Sequence, residues 1–372
     1  VFFRSRFWKN FDWVLFGVMI LLVAIGLLVI WSTSFKATAL SGSADVLHQL
    51  VFAVLGLVAC IAVARLDYRT WFKLTPWLYG IMIFLLVLVL VVSHAVLGAQ
   101  RWISLGFFQF QPSEFAKLIL IVTLAKFFAE HYDKLEQPKY LALSLAYVLV
   151  PVALVMKQPD LGTALVLIVI WLAMALTSRV RKLHLLVLTG VGLALVPVGL
   201  KLLKPFQRAR IDTFFHPTAD PLGTGYNAYQ STVTVGSGQL FGRGLAAGSQ
   251  SQLNFLPPLA QHTDFIFAVL GEKMGFVGAS LLLVLFGVLL FRGVRIGTAA
   301  QDRFGMFLAV GVVAMLMFHI FINVGMNMGI APVTGIPLPF VSYGGTALII
   351  GMVAVGLLES VAVRRKKLQF EG

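Results

Sequence analysis

The chain has 372 residues, 59% of them hydrophobic and only 12% charged, with a mean hydropathy of +0.92. Soluble domains average about 45–50% apolar and about 25% charged residues, so a water-soluble enzyme is excluded and a polytopic membrane protein is indicated. The formal charge of +14 is spread as small basic clusters between apolar runs, the distribution of a membrane protein rather than of a nucleic-acid binder.

A bilayer core about 30 Å thick takes roughly 20 apolar residues per helix. Ten runs approach that length: 14–31, 47–64, 77–95, 115–128, 141–156, 163–177, 183–200, 265–291, 304–324 and 346–363. The expected fold is an all-α polytopic membrane protein of about ten transmembrane helices. It forms a single membrane domain over residues 1–372, with a large extracytoplasmic loop, 201–264, between helices 7 and 8. The first run exceeds a usual signal-peptide core and is read as a retained span. Every even-numbered gap has three basic residues in or beside it, among them Arg65, Arg69 and Lys73 in the second and Arg179, Arg181 and Lys182 in the sixth. The positive-inside rule then places both termini in the cytoplasm. Cys60, the only cysteine, lies inside an apolar run, so the chain has no disulfide framework and no thiolate metal site.

Ionisable groups within a membrane are costly and usually functional. Before the fourth run, Gln111-Pro112-Ser113-Glu114 offers Ser113 as an N-cap, with Pro112 blocking backward extension of the helix. Glu114 and Lys117 fall three apart on one helical face, within reach of each other. Two readings stand equally there. One is a self-neutralising pair; the other is an anion site in which Arg101 and Lys117 bind a headgroup while Glu114 orients the lysine or holds a metal. Asp160, in Gln158-Pro159-Asp160-Leu161-Gly162-Thr163, is a candidate cap for the sixth run, and a cap or ion pair is its favoured role.

The long loop opens with Lys201, Lys204, Arg208 and Arg210 among Leu202, Leu203, Pro205, Phe206 and Ile211, an interfacial amphipathic pattern suited to anionic lipid. Seven glycines between Gly223 and Gly248 match no nucleotide fingerprint, and a packed re-entrant loop or a close-approach ligand site explains them equally. In Gln261-His262-Thr263-Asp264-Phe265, Asp264 is read either as a helix cap, which spacing favours, or as a general base made more basic by partial desolvation. His262 is read as a hydrogen-bonding neighbour, since no HExxH cluster supports zinc. Pro332, Pro337 and Pro339 before Ser342-Tyr343-Gly344-Gly345 predict a stiff, non-helical stretch, either a structural plug or a wall of the site.

Together, Gly98-Ala99-Gln100-Arg101-Trp102, Gln111-Pro112-Ser113-Glu114 with Lys117, Pro159-Asp160-Leu161-Gly162-Thr163, His262-Thr263-Asp264-Phe265 and Ser342-Tyr343-Gly344-Gly345 resemble the SEDS family of cell-wall proteins, in family order. Gln250 to Pro257 looks more like its elongation branch, RodA, than its division branch, FtsW. Two departures are a longer link, Pro258 to Gln261, and Glu272-Lys273 where many members carry two acidic residues.

The resemblance implies a peptidoglycan glycosyltransferase of the cytoplasmic (inner) membrane. It would polymerise lipid II with inversion, releasing undecaprenyl pyrophosphate, at a site facing outward. Asp264 would be the catalytic base, and Arg101, Glu114, Lys117, Asp160 and Arg210 the substrate-binding residues. A divalent cation, Mg or Mn, on Glu114 and Asp264 is a further expectation, as is a class B penicillin-binding protein as partner. Rival readings are a lipid II flippase, a non-catalytic scaffold for a penicillin-binding protein, and a polymerase of another lipid-linked glycan.

Overall fold

The computed structural model describes residues 7–34, 41–92, 101–104, 109–216, 225–245 and 255–365. Gly98 to Gln100 and Gln250 to Asn254 of the sequence motifs, and parts of the glycine-rich stretch, lie outside the described residues. Each of the ten apolar runs is a helix. The first seven are α1 (Trp13–Ser34), α2 (Ser41–Arg65), α3 (Tyr68–Val92), α4 (Pro112–Glu130), α5 (Pro138–Lys157), α6 (Leu161–Thr177) and α7 (Lys182–Leu202). Two shorter helices, α8 (Pro205–Phe215) and α9 (Tyr226–Ser237), and a single helical turn, Pro258–Gln261, follow among the described residues of the long loop. Then come α10 (Ile266–Thr298), α11 (Arg303–Asn327) and α12 (Gly345–Val363).

Eight of these are long and apolar enough to cross a membrane. The other two are α4, which carries Glu114, Lys117, Lys126 and Glu130, and α6, which has only 17 residues. Both pack inside the bundle, where neighbouring helices stand in for lipid and the charges on α4 find partners. Several helices outrun their apolar stretches, α3 by starting at Tyr68. Hydropathy marks only the apolar part, whereas the backbone ladder continues through the polar residues beside it. Among its described residues, the loop of the sequence reading is largely helical. One small strand pair was not foreseen: β1 (Ile103–Ser104) and β2 (Gln109–Phe110), antiparallel, with Ile103 opposite Phe110.

Between membrane helices the driving force is close packing rather than water exclusion, so small residues mark the contacts. α12 is the most buried of the eight long apolar helices and lies along α2. A Cβ on Gly356 would come within 2.6 Å of the Cys60 carbonyl oxygen, and one on Gly56 would press into Met352. α7 lies at the periphery, with most of its side chains exposed.

The up-and-down path sorts the charges to two ends. At one end Asp12 pairs with Arg292, Arg69 with Asp302, Asp133 with Arg179 and Arg303, and Arg364 with Asp67. The described chain starts and finishes there, since the Asn10 side chain donates to the Val363 carbonyl. The motifs before α4, α6, α10 and α12 gather at the other end.

α10 is broken at Gly275, whose φ of 66° and ψ of −166° leave the helical region. The break frees the carbonyls of Glu272 and Lys273 and the amides of Phe276 and Val277. The glycine-rich loop after α9 takes all four: Arg243 N–H donates to Glu272 O (2.9 Å) and Gly244 N–H to Lys273 O (3.1 Å), while Gln239 O and Leu240 O accept from Phe276 (2.8 Å) and Val277 (3.0 Å). Gly242, with φ +79°, lies directly against the Lys273 carbonyl, so this stretch is the packed re-entrant loop. Gly242→Ala, which adds a Cβ against that carbonyl at a positive φ, should destabilise the protein by about 2–4 kcal/mol. Gly190→Ala in α7, where a Cβ meets nothing within 4 Å, should change stability by less than about 0.5 kcal/mol. Thermal unfolding in detergent compares the two.

Candidate active site

Stretches of the chain from α2 to the start of α12 line one cavity of about 810 Å³ at the motif-bearing end. Arg101, Glu114, Lys117, Asp160, Arg210 and Asp264 all line it. Residues far apart in sequence are brought together because α4, α6 and α10, and the segment before α12, all begin at that end.

The N-cap of α4 lies two residues before the Ser113 expected from sequence. It is Gln111, which makes no side-chain cap bond; Pro112 at the first helical position has no N–H to satisfy, and Glu114 N–H donates to the Gln111 carbonyl (3.1 Å). Ser113 is inside the helix and accepts from Gln111 Nε2 (3.1 Å). One turn on, Lys117 Nζ lies 2.7 Å from Glu114 Oε1 and 3.2 Å from His319 Nε2 of α11. Lysine has no acceptor, so that ring nitrogen accepts. Lys117 is only 1% exposed, its head fixed between two helices.

Asp160 is both cap and ion-pair partner. Its carboxylate accepts from Thr163 N–H (3.2 Å) and Thr163 Oγ (2.9 Å) at the start of α6, and its Oδ1 lies 3.7 Å from Arg101 Nη1. Arg101 also donates to the carbonyls of Gln158 and Pro159, tying its segment to the α5–α6 turn. α8 docks on the same turn through Gln207 Nε2 and Pro159 O (3.3 Å). Docking divides the basic cluster of the loop: all four side chains are exposed, but Arg210 lines the cavity while Lys201, Lys204 and Arg208 do not.

Asp264 does not cap α10. The N-cap is Phe265, and no side-chain cap bond is made. The carboxylate is left to the cavity, so the capping reading that spacing favoured is overturned. A Cβ on Gly335 would lie 3.6 Å from Asp264 Oδ2 and 3.9 Å from Arg210 Nη1, which places all three groups at one corner. Burial pushes the Asp264 carboxyl above its ordinary 3.8, opposed by Arg210 and Arg101 and by a hydrogen bond from Thr263. Burial lowers Arg210, opposed by the Asp264 charge. His262 is a hydrogen-bonding neighbour, 3.0 Å from Thr33 Oγ1, and burial lowers its pKa below 6.5.

The proline-rich segment is a wall of the cavity, contributing Gly335, Ile336, Pro337 and Tyr343 to Gly345. Sequence reasoning missed the α11 side chains His319, Asn323 and Asn327, all buried. Their spacing of four residues on a helix is the sign that would have found them.

For a divalent ion the donor set is poor. The Glu114 carboxylate is engaged by Lys117, and the described residues contain no group of three or more His, Cys, Asp or Glu that could hold a metal. These side chains do not build such a site, and no step is routed through one. What they do build is a carboxylate of raised basicity beside cations, the combination for taking a proton and stabilising a departing anion.

The family described as cell cycle protein, FtsW/RodA/SpoVE, matches residues 12–367, and the chain belongs to it. It is 40% identical to stage V sporulation protein E of Bacillus subtilis, over 94% of this chain and 96% of that one. It is 37% identical to peptidoglycan glycosyltransferase MrdB of Escherichia coli K12, over 98% and 97%. A solved structure of a peptidoglycan synthase complex that coordinates polymerization and crosslinking contains a chain with a TM-score of 0.81 and 33% identity, over 96% of this chain and 99% of that one.

Removing Lys117 alone strands a buried carboxylate. Lys117→Met should cost about 3–5 kcal/mol, and the double variant Glu114→Gln/Lys117→Met should recover most of it. Detergent melting curves of the three proteins test the coupling.

Proposed function

We propose that this multi-pass membrane protein is a peptidoglycan glycosyltransferase that polymerises lipid II into glycan strands for cell elongation and rod shape. The observation that carries the reading is the convergence of Asp264, uncapped and of raised basicity, with Arg101, Lys117 and Arg210 in one cavity. The names of the relatives support it. Asp264 takes the proton of the acceptor sugar's 4-hydroxyl. That oxygen attacks the anomeric carbon of the lipid-linked donor as the bond to the pyrophosphate breaks, with inversion. Arg101, Lys117 and Arg210 stabilise the charge that builds on the leaving pyrophosphate, and Glu114 and Asp160 hold Lys117 and Arg101 in place.

The ion-pair-rich end faces the cytoplasm with both termini, by the positive-inside rule, and the cavity faces outward. The partner is a class B penicillin-binding protein that crosslinks the new strand, a reading supported by the synthase complex in which the structural relative was solved.

Polymerisation of labelled lipid II by the purified, partner-bound protein tests the reading, with the transpeptidase blocked. Asp264→Asn should lower the rate by about 10³-fold; equal polymer from variant and wild type would remove Asp264 as the base. Asp264 acts ionised, so activity is lost as pH falls, and the loss comes at a higher pH than an aspartate of pKa 3.8 would give. Arg210→Gln removes a charge that holds this pKa down, so the acid limb of its pH–rate profile should move to still higher pH.

A further inference from the structure

The turn carrying Asp264 lies outside regular structure, so its carbonyls have no helical or sheet partner. Three in succession are nonetheless satisfied. His262 O accepts from Tyr343 N–H (2.8 Å) and Thr263 O from Ser342 Oγ (2.6 Å). Asp264 O accepts from two side chains of α11, Asn323 Nδ2 (3.1 Å) and Asn327 Nδ2 (3.0 Å).

Each amide is used in full. Asn323 Nδ2 also donates to Ile336 O (2.8 Å), and Asn327 Nδ2 to Asn323 O (2.8 Å). Asn327 Oδ1 accepts from Ala268 N–H (3.3 Å) and Ser231 Oγ (3.0 Å). This surrounding pattern sets the orientation of Asn327, because a flipped amide would put oxygen against carbonyls and NH2 against donors. Both asparagines are fully buried, and neither lines the cavity.

From this we infer that Asn323 and Asn327 are positioning residues for Asp264, acting through its main-chain carbonyl. The inference rests on Asp264 as the base. One asparagine ties the carbonyl to the proline-rich wall at Ile336, the other to α9 at Ser231, so the base keeps a fixed height and direction relative to that wall and to the helix behind it. Neither group touches substrate, and their removal acts on the geometry of the proton transfer rather than on binding. A displacement of about 1 Å at a reacting group costs on the order of 10²-fold in rate.

The test is steady-state polymerisation of lipid II by partner-bound Asn323→Leu, Asn327→Leu, the double variant and Asp264→Asn, with detergent melting of each. Each single leucine variant should lower kcat about 10-fold and the double about 10²-fold, with KM within about 2-fold, in protein whose melting temperature falls with the stranded carbonyls but stays above the assay temperature. Unchanged kcat in the leucine variants beside an inactive Asp264→Asn would overturn the positioning role alone. So would a kcat loss that only tracks a fall in melting temperature. Full activity of Asp264→Asn would instead overturn the reading of the base. Should the leucine variants not fold, the near-isosteric Asn323→Asp, which loses the donor and keeps the shape, carries the same expectation of lowered kcat at constant KM.

Discussion

Inside an apolar bundle a main-chain carbonyl that has left its helix must find another donor, and the candidate site is assembled from segments that have left theirs. α11 supplies the donors and the rigidity. His319, Asn323 and Asn327 lie one turn apart along a face turned to the interior. The first receives Lys117, the second ties the proline-rich wall to the Asp264 carbonyl, and the third links that carbonyl to α9. Without this stripe Lys117 and the Asp264 carbonyl would lose the partners that tie them to the interior.

A second set of orphaned groups arises at Gly275, where α10 breaks, and the glycine-rich loop resolves it. The four groups released by the break are taken by backbone of residues 239–244, and Gly242 lets that backbone come close enough. Glu272 and Lys273 are thereby buried beside the re-entrant loop. The same loop leads back from α9, so α9, α10 and the Asn327 contact form one continuous support behind Asp264.

The ten apolar helices were legible because a bilayer imposes a length and a hydropathy on the segments that lie in it, although only eight of them are long and apolar enough to cross one. Of the site, Arg101, Glu114, Lys117, Asp160, Arg210 and Asp264 were legible as ionisable residues at helix entrances. Which of two roles each plays was not. Asp160 caps, as its spacing suggests, while Asp264 does not: α6 starts at Leu161, the residue after Asp160, but α10 starts at Ile266 with Phe265 as its N-cap, a shift of one residue that the local sequence does not mark. Ser113 was misplaced as a cap because Pro112 can begin the helix itself. The asparagines escaped notice for a simpler reason: a search for charges passes over neutral amides, although a polar side chain repeated every fourth residue in an apolar span needs the same explanation.

The stripe on α11 also measures depth. Along a helix that rises 1.5 Å per residue, His319 lies about 12 Å nearer the middle of the span than Asn327. Lys117, held by His319, therefore sits closer to the bilayer centre than the level at which Asn323 and Asn327 hold Asp264. The cavity has a vertical polarity, with a buried cation below and a carboxylate above. A molecule anchored by a hydrocarbon tail meets these groups in a fixed order, its phosphates beside the cation before its sugars reach the carboxylate. A water-soluble sugar diphosphate carries no such anchor, so the membrane itself acts as the third reference point that orients the substrate.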